Sequence, residues 1–309
     1  MAVNETDETT VEDSRQTPVG LTIEQVSRML GVPVPTIRSW ERRHQVPVVD
    51  RTPGGHRRYS SEQLEALRRM RDLVAQGLRP VDAAARIKAE DATSPDSLIE
   101  ALLQASQEYK PDAIEEILDA AQQALGLGRT VDDVLLPALR QIGQRWQAGE
   151  ADVSHEHVAT NAIHSWLSGL NEIRPPLRQF GPVVLCCGPR DDHTLGLEAL
   201  GALLAERGFD CLLLGARTPA ESLARAVRDT AAAAVILVCH LPAGRQAAVD
   251  ALRSAEPSRT SIYYAGGAFA SPRARRGVPG HHLGDNLTEA ADFIAHALQN
   301  PSMSAAPET

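Results

Sequence analysis

The spacing of apolar residues divides the chain into three regions. Before residue 96, apolar residues recur at helical spacing in short stretches, the first of them formed by Ile23, Val26, Met29 and Leu30. From residue 96 to 173 the same spacing predicts a bundle of four longer helices, Asp96–Glu108, Pro111–Leu125, Thr130–Trp146 and His155–Asn171. After Gly181, short apolar runs alternate with helical segments, which predicts a doubly wound parallel sheet. The predicted fold class is therefore multidomain, α followed by α/β.

Five strands are predicted in the last region, at Pro182–Gly188, Phe209–Leu214, Ala233–Cys239, Thr260–Ala265 and His282–Leu283. The first is apolar throughout, which is typical of a strand buried on both faces. Four cysteines fall in these strands without metal-ligand spacing, which favours reduced, buried thiols: Cys186, Cys187, Cys211 and Cys239.

Charge is unevenly distributed along the 309 residues, whose formal net charge is −9. Residues 18–88 hold thirteen Arg and Lys against seven Asp and Glu, a surplus of six positive charges. A basic region in an acidic protein indicates a nucleic-acid partner for that region alone. The first seventeen residues are acidic and aperiodic, which predicts a disordered tail. The longest apolar run, Ala231–Cys239, is too short for a bilayer, so we expect a cytoplasmic protein without a membrane partner.

The basic region has the pattern of a winged helix-turn-helix. Thr22 can cap a short helix that ends at Gly31, and a second helix, Thr36–His44, follows. A glycine-tipped, cationic hairpin then spans Arg51–Tyr59, and a helix opens after it. This string resembles the DNA-binding domain of the MerR family over residues 20–88. The resemblance implies that double-stranded DNA is contacted by side chains of the second helix and the wing, namely Arg38, Arg42, Arg43, Arg57, Arg58 and Tyr59.

A second motif, Asp191-x-His193-x-x-Gly196, follows the first predicted strand at the edge where open α/β sheets bind ligands. His193 can offer one ring nitrogen to a metal while Asp191 accepts the proton of the other. A capping loop with an incidental surface histidine is the alternative. The motif resembles the cobalamin-binding module, which implies that His193 is the lower cobalt ligand. By the same resemblance, cofactor contacts fall at Cys239, where serine is usual, and at Leu241, Gly266 and Gly267.

The bundle carries the pattern Trp146-x9-Glu156-His157 directly before this module. Together with the basic region, it resembles the CarH/LitR group of cobalamin-dependent, light-responsive repressors over residues 20–298. That resemblance implies that Trp146, Glu156 and His157 close over the upper face of adenosylcobalamin, with methylcobalamin or another cobalamin as alternatives. Gln147 departs from the group, since well-known members have there a histidine that becomes the upper cobalt ligand after illumination. His155, another histidine or water could take that position.

The expected function is therefore a non-enzymatic transcriptional regulator, a repressor by resemblance, that acts as a dimer or tetramer on promoter DNA. A regulator of the same build that senses cobalamin level or redox state is one alternative. A corrinoid carrier subunit of an enzyme is another, although residues 1–95 favour DNA binding. The expected divisions are an acidic tail (1–17), a winged helix-turn-helix (18–89), a four-helix bundle (96–175), a flavodoxin-like cobalamin domain (181–299) and a second tail (300–309).

Overall fold

The computed structural model describes residues 20–48, 58–150, 152–171, 180–256 and 260–300. Its contacts divide the chain into two compact units, with the division after Ala92. The predicted tails and most of the predicted wing, including Arg57, lie outside the described residues. None of the described helices has both the length and the hydropathy needed to cross a bilayer.

The first unit contains four helices: α1 (Ile23–Leu30), α2 (Val34–His44), α3 (Ser61–Ala75) and α4 (Pro80–Ala92). Thr22 and Gln25 form a capping box at the start of α1, and Gly31 ends it in a left-handed conformation. The apolar stripes of the helices meet in one core that includes Val26, Ile37 and Leu67. The predicted helix-turn-helix is therefore present, with α2 as its second helix.

Helix α4 extends further than its sequence pattern indicated, to Ala92 instead of Ala89. Its last turn lies beside α3, where the Arg69 guanidinium is paired with Glu90 at 2.6 Å and Asp91 at 2.7 Å. These long-range ion pairs support the last turn of α4 in the segment that the pattern predicts as a linker.

The second unit begins with helices α5 (Pro95–Gln107), α6 (Pro111–Leu125), α7 (Leu127–Arg129), α8 (Leu136–Gln147) and α9 (Val153–Asn171). The predicted helix Thr130–Trp146 is interrupted, because Thr130–Leu135 form a π-helical segment before α8. Pro137 has no amide hydrogen to donate to the carbonyl four residues earlier, so an unbroken α-helix would lack that bond. The amide of Leu136 instead bonds to the carbonyl of Val131, five residues back.

The sheet is parallel throughout, in the order β2–β1–β3–β4–β5. Its strands are β1 (Val183–Cys187), β2 (Cys211–Gly215), β3 (Ala234–Val238), β4 (Ser261–Ala265) and β5 (His281–His282). The intervening helices are α10 (Leu195–Glu206), α11 (Ala220–Asp229), α12 (Arg245–Ala255), α13 (Pro272–Arg275) and α14 (Leu287–Gln299). The doubly wound prediction is confirmed, with strand boundaries within two residues of the predicted ones.

Side chains of β1 alternate between two cores. Leu185 and Cys187 face the core shared with α10, α14 and the bundle, whereas Val184 and Cys186 face the core shared with α11 and α12. The bundle and one face of the sheet therefore share a single hydrophobic core. None of the four cysteines forms a disulfide; three are buried and Cys211 is half-buried.

Two polar contacts also join the bundle to the sheet domain. Asp132, in the π-helical segment, accepts hydrogen bonds from the amides of Leu287 at 2.8 Å and Thr288 at 3.0 Å, and from the Thr288 hydroxyl. His164 of α9 lies 2.6 Å from the buried carboxylate of Glu198 in α10. The bundle is thereby fixed to the first turns of α10 and α14.

Candidate functional site

One buried carboxylate, Asp191, lies between the loops that follow β1 and β3. Its side chain is 0% exposed. One oxygen accepts the main-chain amide of His193 at 3.0 Å and the Nδ1–H of the same residue at 2.7 Å. The other accepts the main-chain amide and the Nδ1–H of His240, the latter at 3.2 Å. Burial opposes ionisation, but the bonds from both histidines outweigh it and hold the pKa of Asp191 far below its usual range.

The carboxylate of Asp191 orients the His193 ring for binding a metal. Because its Nδ1–H is donated to Asp191, a neutral ring keeps its lone pair on Nε2. The side chain is 61% exposed, so that nitrogen is accessible to a ligand. The bond to Asp191 raises the pKa of His193, with smaller contributions from the carboxylates of Asp192 and Glu156. The arrangement matches the carboxylate–histidine pairs that orient metal ligands.

His240 is a member of this site that the sequence reasoning missed. Its ring lies 5.0 Å from that of His193, centroid to centroid, and is inclined to it by 50°. It directly follows Cys239 and precedes Leu241, both of which were predicted. The available signal was its position after β3, the strand that pairs with β1, because side chains at neighbouring carboxyl ends of a parallel sheet lie close together.

The neighbouring predicted residues differ in accessibility. Cys239 is 1% exposed, and burial raises the pKa of its thiol to about 11. Its Sγ donates weakly to the carbonyl of Leu241, whose side chain is exposed. Gly196 has open space where a side chain would begin. A predicted cofactor contact at Leu241 or Gly196 therefore has room, whereas Cys239 offers little surface.

Close contacts with the backbone of the loop after β3 explain why both positions 266 and 267 are glycine. Gly266 has a φ of +102°, and a Cβ there would collide with the main chain of Cys239. A Cβ at Gly267 would lie 2.8 Å from the carbonyl oxygen of His240. The loop after β4 thus packs directly on the loop after β3, so the close approach that requires these glycines is between two segments of backbone.

The bundle residues expose polar and aromatic surface near the start of α9. Trp146 is 50% exposed at the end of α8. Glu156 accepts a hydrogen bond from the Thr160 hydroxyl at 2.9 Å, and its other oxygen lies 3.5 Å from Nε2 of the exposed His157. The Glu156 charge also acts on His193. Among the described residues, Trp146 makes no ring contact with His157 or with His193.

In the first unit, α2 presents the predicted DNA-contacting arginines to solvent. Arg38, Arg42 and Arg43 are exposed, while Ile37 and Trp40 on the opposite face are buried. Three exposed cations on one helix, two of them in its last turn, form a positive surface of the kind that binds phosphates.

Tyr59 departs from its predicted role. It is 1% exposed, it pairs with Leu21 in an isolated antiparallel bridge, and its hydroxyl donates to Glu41. The ring therefore packs in the core beneath α2 and has almost no surface to offer DNA. Arg58 is half-buried beside it.

Comparison with known proteins gives three matching family descriptions along the chain. Residues 21–90 match the MerR HTH family of regulatory proteins, and residues 98–170 and 181–284 each match a B12 binding domain. The HTH-type transcriptional repressor CarH of Myxococcus xanthus is 32% identical over 217 residues, which cover 65% of this chain and 72% of the relative. CarA of the same organism is 33% identical over 208 residues, 66% of this chain and 70% of the relative. The chain belongs to the CarH/CarA family.

Membership in the CarH/CarA family makes the protein a cobalamin-binding, DNA-binding regulator rather than an enzyme. The predicted MerR-type and cobalamin-binding regions are confirmed. The second unit also resembles a monomethylamine corrinoid protein of Methanosarcina barkeri, with a TM-score of 0.55 and 15% identity over 66% of this chain and 100% of that one. This likeness shows the fold alone and does not support the carrier-subunit alternative.

The donor set at the sheet edge fits a cobalamin. It provides one exposed imidazole, oriented by a buried carboxylate on Nδ1, beside open space at Gly196. Cobalt takes imidazole readily, and a second-shell carboxylate strengthens such a ligand.

Proposed function

We propose that the protein is a light-responsive repressor that uses adenosylcobalamin as its sensing ligand. The observation that carries the proposal is the Asp191–His193 pair, which leaves the Nε2 lone pair of His193 free and exposed. When bound, the cofactor would supply a cobalt–carbon bond that light can break. His193 would bind the cobalt through Nε2, and Asp191 would keep the ring in the tautomer that this requires.

Three bundle residues would sense what occupies the upper face. The exposed ring of Trp146 offers apolar cover and a stacking surface for an adenine. Glu156 and His157 offer an acceptor and a ring nitrogen to ribose hydroxyls. Because the bundle shares one core with the sheet, contacts made only by the intact upper ligand would favour one arrangement of the bundle.

That arrangement would control assembly and DNA binding. We propose a homo-oligomer, a tetramer of two dimers when adenosylcobalamin is intact, which separates after illumination. Residues 18–89 bind double-stranded promoter DNA through Arg38, Arg42 and Arg43, with Arg57 and Arg58 of the wing. Residues 96–175 cap the cofactor and residues 181–299 carry it. The protein acts where this DNA is, in the cytoplasm.

Gln147 favours a second candidate, a regulator that responds to cobalamin level and not to light. An amide is a poor ligand for cobalt compared with an imidazole. The neighbouring His155 is already engaged, because its Nδ1 accepts the amide of Asp152 at 3.2 Å and its ring lies 4.6 Å from that of Tyr109. His157 is 66% exposed and is the better substitute.

The test is a visible spectrum of the full chain after incubation with adenosylcobalamin in the dark and again after green light. Oligomer size and a gel shift on the protein's own upstream DNA are measured in both states. We expect a bound cofactor in the dark, a light-dependent spectral change, and loss of the tetramer and of DNA binding. Equal assembly and DNA binding in both states would favour the level sensor, and methylcobalamin and hydroxocobalamin serve as comparison ligands.

The variant His193→Ala tests the lower ligand directly. It should abolish the spectrum of imidazole-coordinated cobalamin. His281→Ala, at the start of β5, removes a half-buried histidine elsewhere in the same domain and should leave the spectrum unchanged. An unaltered spectrum in His193→Ala would contradict the assignment.

A further inference from the structure

The proposed function uses Asp191 and His193 but gives no role to the His240 side chain. Both oxygens of Asp191 are already held by main-chain amides, those of His193 and His240. The orientation of the carboxylate therefore does not depend on the His240 ring. A second imidazole on the same carboxylate needs another explanation.

The three side chains are spaced as metal ligands. One nitrogen of each ring and one oxygen of Asp191 lie within 4.8 Å of one another. The Nδ1 atoms lie 2.7 Å and 3.2 Å from the Asp191 oxygens. These two distances run to different oxygens of Asp191, Oδ1 for His193 and Oδ2 for His240. Ligand bonds of about 2.0–2.2 Å place neighbouring ligand atoms about 3–3.5 Å apart, so the three side chains must close from within 4.8 Å to that spacing to share one ion.

The surroundings also favour a cation. The side chains of His193 and His240 are 61% and 39% exposed, which gives an ion a path from solvent. Asp191 beneath them is fully buried, as expected of a ligand that is held in place by the chain.

We propose that Asp191, His193 and His240 bind a free divalent transition-metal ion of the Zn²⁺, Co²⁺ or Ni²⁺ class when cobalamin is absent. Two imidazoles and a carboxylate suit these ions, and three protein ligands leave a position for water. Each neutral ring moves its proton from Nδ1 to Nε2 and gives the freed Nδ1 lone pair to the ion.

Because of this tautomer change, the protein cannot bind the ion and cobalamin at the same time. This consequence rests on the proposed role of His193. A neutral imidazole has one lone pair. With an ion on Nδ1, the Nε2 of His193 carries the proton and cannot bind the cobalt of a corrin. A metal-loaded regulator would therefore not take up its cofactor until the ion leaves.

The experiment titrates the full-length, cofactor-free protein with ZnCl₂ by calorimetry and with CoCl₂ by visible absorption. We expect one ion per chain at this site. The variant His240→Ala, with His240→Gln as a second should the first fail to fold, should weaken binding by more than the roughly 10–100-fold that loss of a second-shell partner causes. His282→Ala is the matched control and should bind as the wild type does.

In a second arm, Zn²⁺-loaded wild type should bind adenosylcobalamin only after EDTA is added, while His240→Ala should bind it with or without Zn²⁺. No ion bound by the wild type, or undiminished binding by both His240 variants, overturns the metal site. Uptake of adenosylcobalamin unaffected by bound Zn²⁺ overturns the exclusion. Failure of every cobalamin to bind metal-free wild type would refute the proposed function while leaving the metal titration as an independent result.

Discussion

Replacing Asp191 by Asn tests whether one carboxylate organises both loops at the sheet edge. Asn is nearly isosteric, but it has one acceptor oxygen where Asp191 has two. Whichever way the amide turns, its NH₂ faces either the His193 pair of donors or the His240 pair. The perturbation therefore removes hydrogen bonds without creating a cavity.

The magnitude follows from those contacts. One buried main-chain amide is left without an acceptor, which costs about 1–3 kcal/mol. A bond from a ring Nδ1–H to a charged acceptor is also lost, worth about 1.5–3 kcal/mol. Because Asp191 is 0% exposed, water does not replace its lost acceptor oxygen, and the two losses add to roughly 2.5–6 kcal/mol in the free energy of unfolding.

Urea unfolding of the cofactor-free chain measures this loss, and hydrogen exchange of the peptides that span β1 and α10 localises it. Asp192→Asn is the matched control, because Asp192 is an adjacent, exposed carboxylate whose partner Arg217 is exposed too. We expect little change there, since water screens the pair. A loss at Asp191 no larger than the loss at Asp192 would refute the account.

The difference in stability between wild type and Asp191→Asn should also depend on pH, in a direction that the pKa of Asp191 sets. The folded pKa of Asp191 lies below its unfolded value, so its stabilisation is complete above the ordinary range for an aspartate and is lost as the pH falls. Asp191 also raises the pKa of His193, and that contribution is complete below about pH 6.5 and declines as the pH rises through the folded value. The stability difference between wild type and Asp191→Asn should therefore be largest between about pH 4 and pH 6.5, and should shrink below about pH 4, the unfolded value of Asp191. A difference that grows on acidification below about pH 4 would contradict the assigned ionisation.

Three further outcomes are expected. Asp132→Ala should lower stability by about 1–2 kcal/mol, because the first amides of α14, at Leu287 and Thr288, lose their acceptor; unchanged hydrogen exchange in α14 would contradict this. Cys239 should resist iodoacetamide in the folded protein at pH 8, since burial raises its pKa to about 11, and rapid native labelling found by mass spectrometry would show otherwise. Arg42→Ala should weaken DNA binding at all sequences and reduce the salt slope in gel shifts by about 1; an unchanged slope would exclude a phosphate contact.

The fold was predictable because the relevant signals are local. The predicted strand Pro182–Gly188 is longer than the observed strand Val183–Cys187 by one residue at each end. Thr22 and Gly31 bound α1 as their cap preferences require. The π-helical segment before α8 was not predicted, because the apolar spacing of Thr130–Trp146 is continuous and only Pro137, eight residues into that predicted helix, signals an interruption. The last turn of α4 depends on Arg69, about twenty residues away, which no local pattern reports.

The site was only partly predictable for the same reason. The motif holds Asp191 and His193 on one loop, so their contact follows from sequence spacing. His240 reaches the same carboxylate from another loop, and that contact exists only because β3 pairs with β1. Tyr59 was expected to contact DNA from its resemblance to a wing residue, whereas its bridge to Leu21 buries it; the DNA contact itself stays a prediction.

Helix α10 joins the loop that carries His193 to the bundle. It begins at Leu195, two residues after His193, and Glu198 in its first turn is bonded to His164 of α9 at 2.6 Å. A shift of the His193 loop must therefore move the first turn of α10 or strain its hydrogen bonds to the loop. If the first turn of α10 moves, either the His164–Glu198 contact or the packing of α9, which shares the same core, must change. Coupling between His193, the proposed cobalt ligand, and the bundle thus requires no element other than one helix turn and one hydrogen bond, provided that this turn has two arrangements that the cofactor distinguishes.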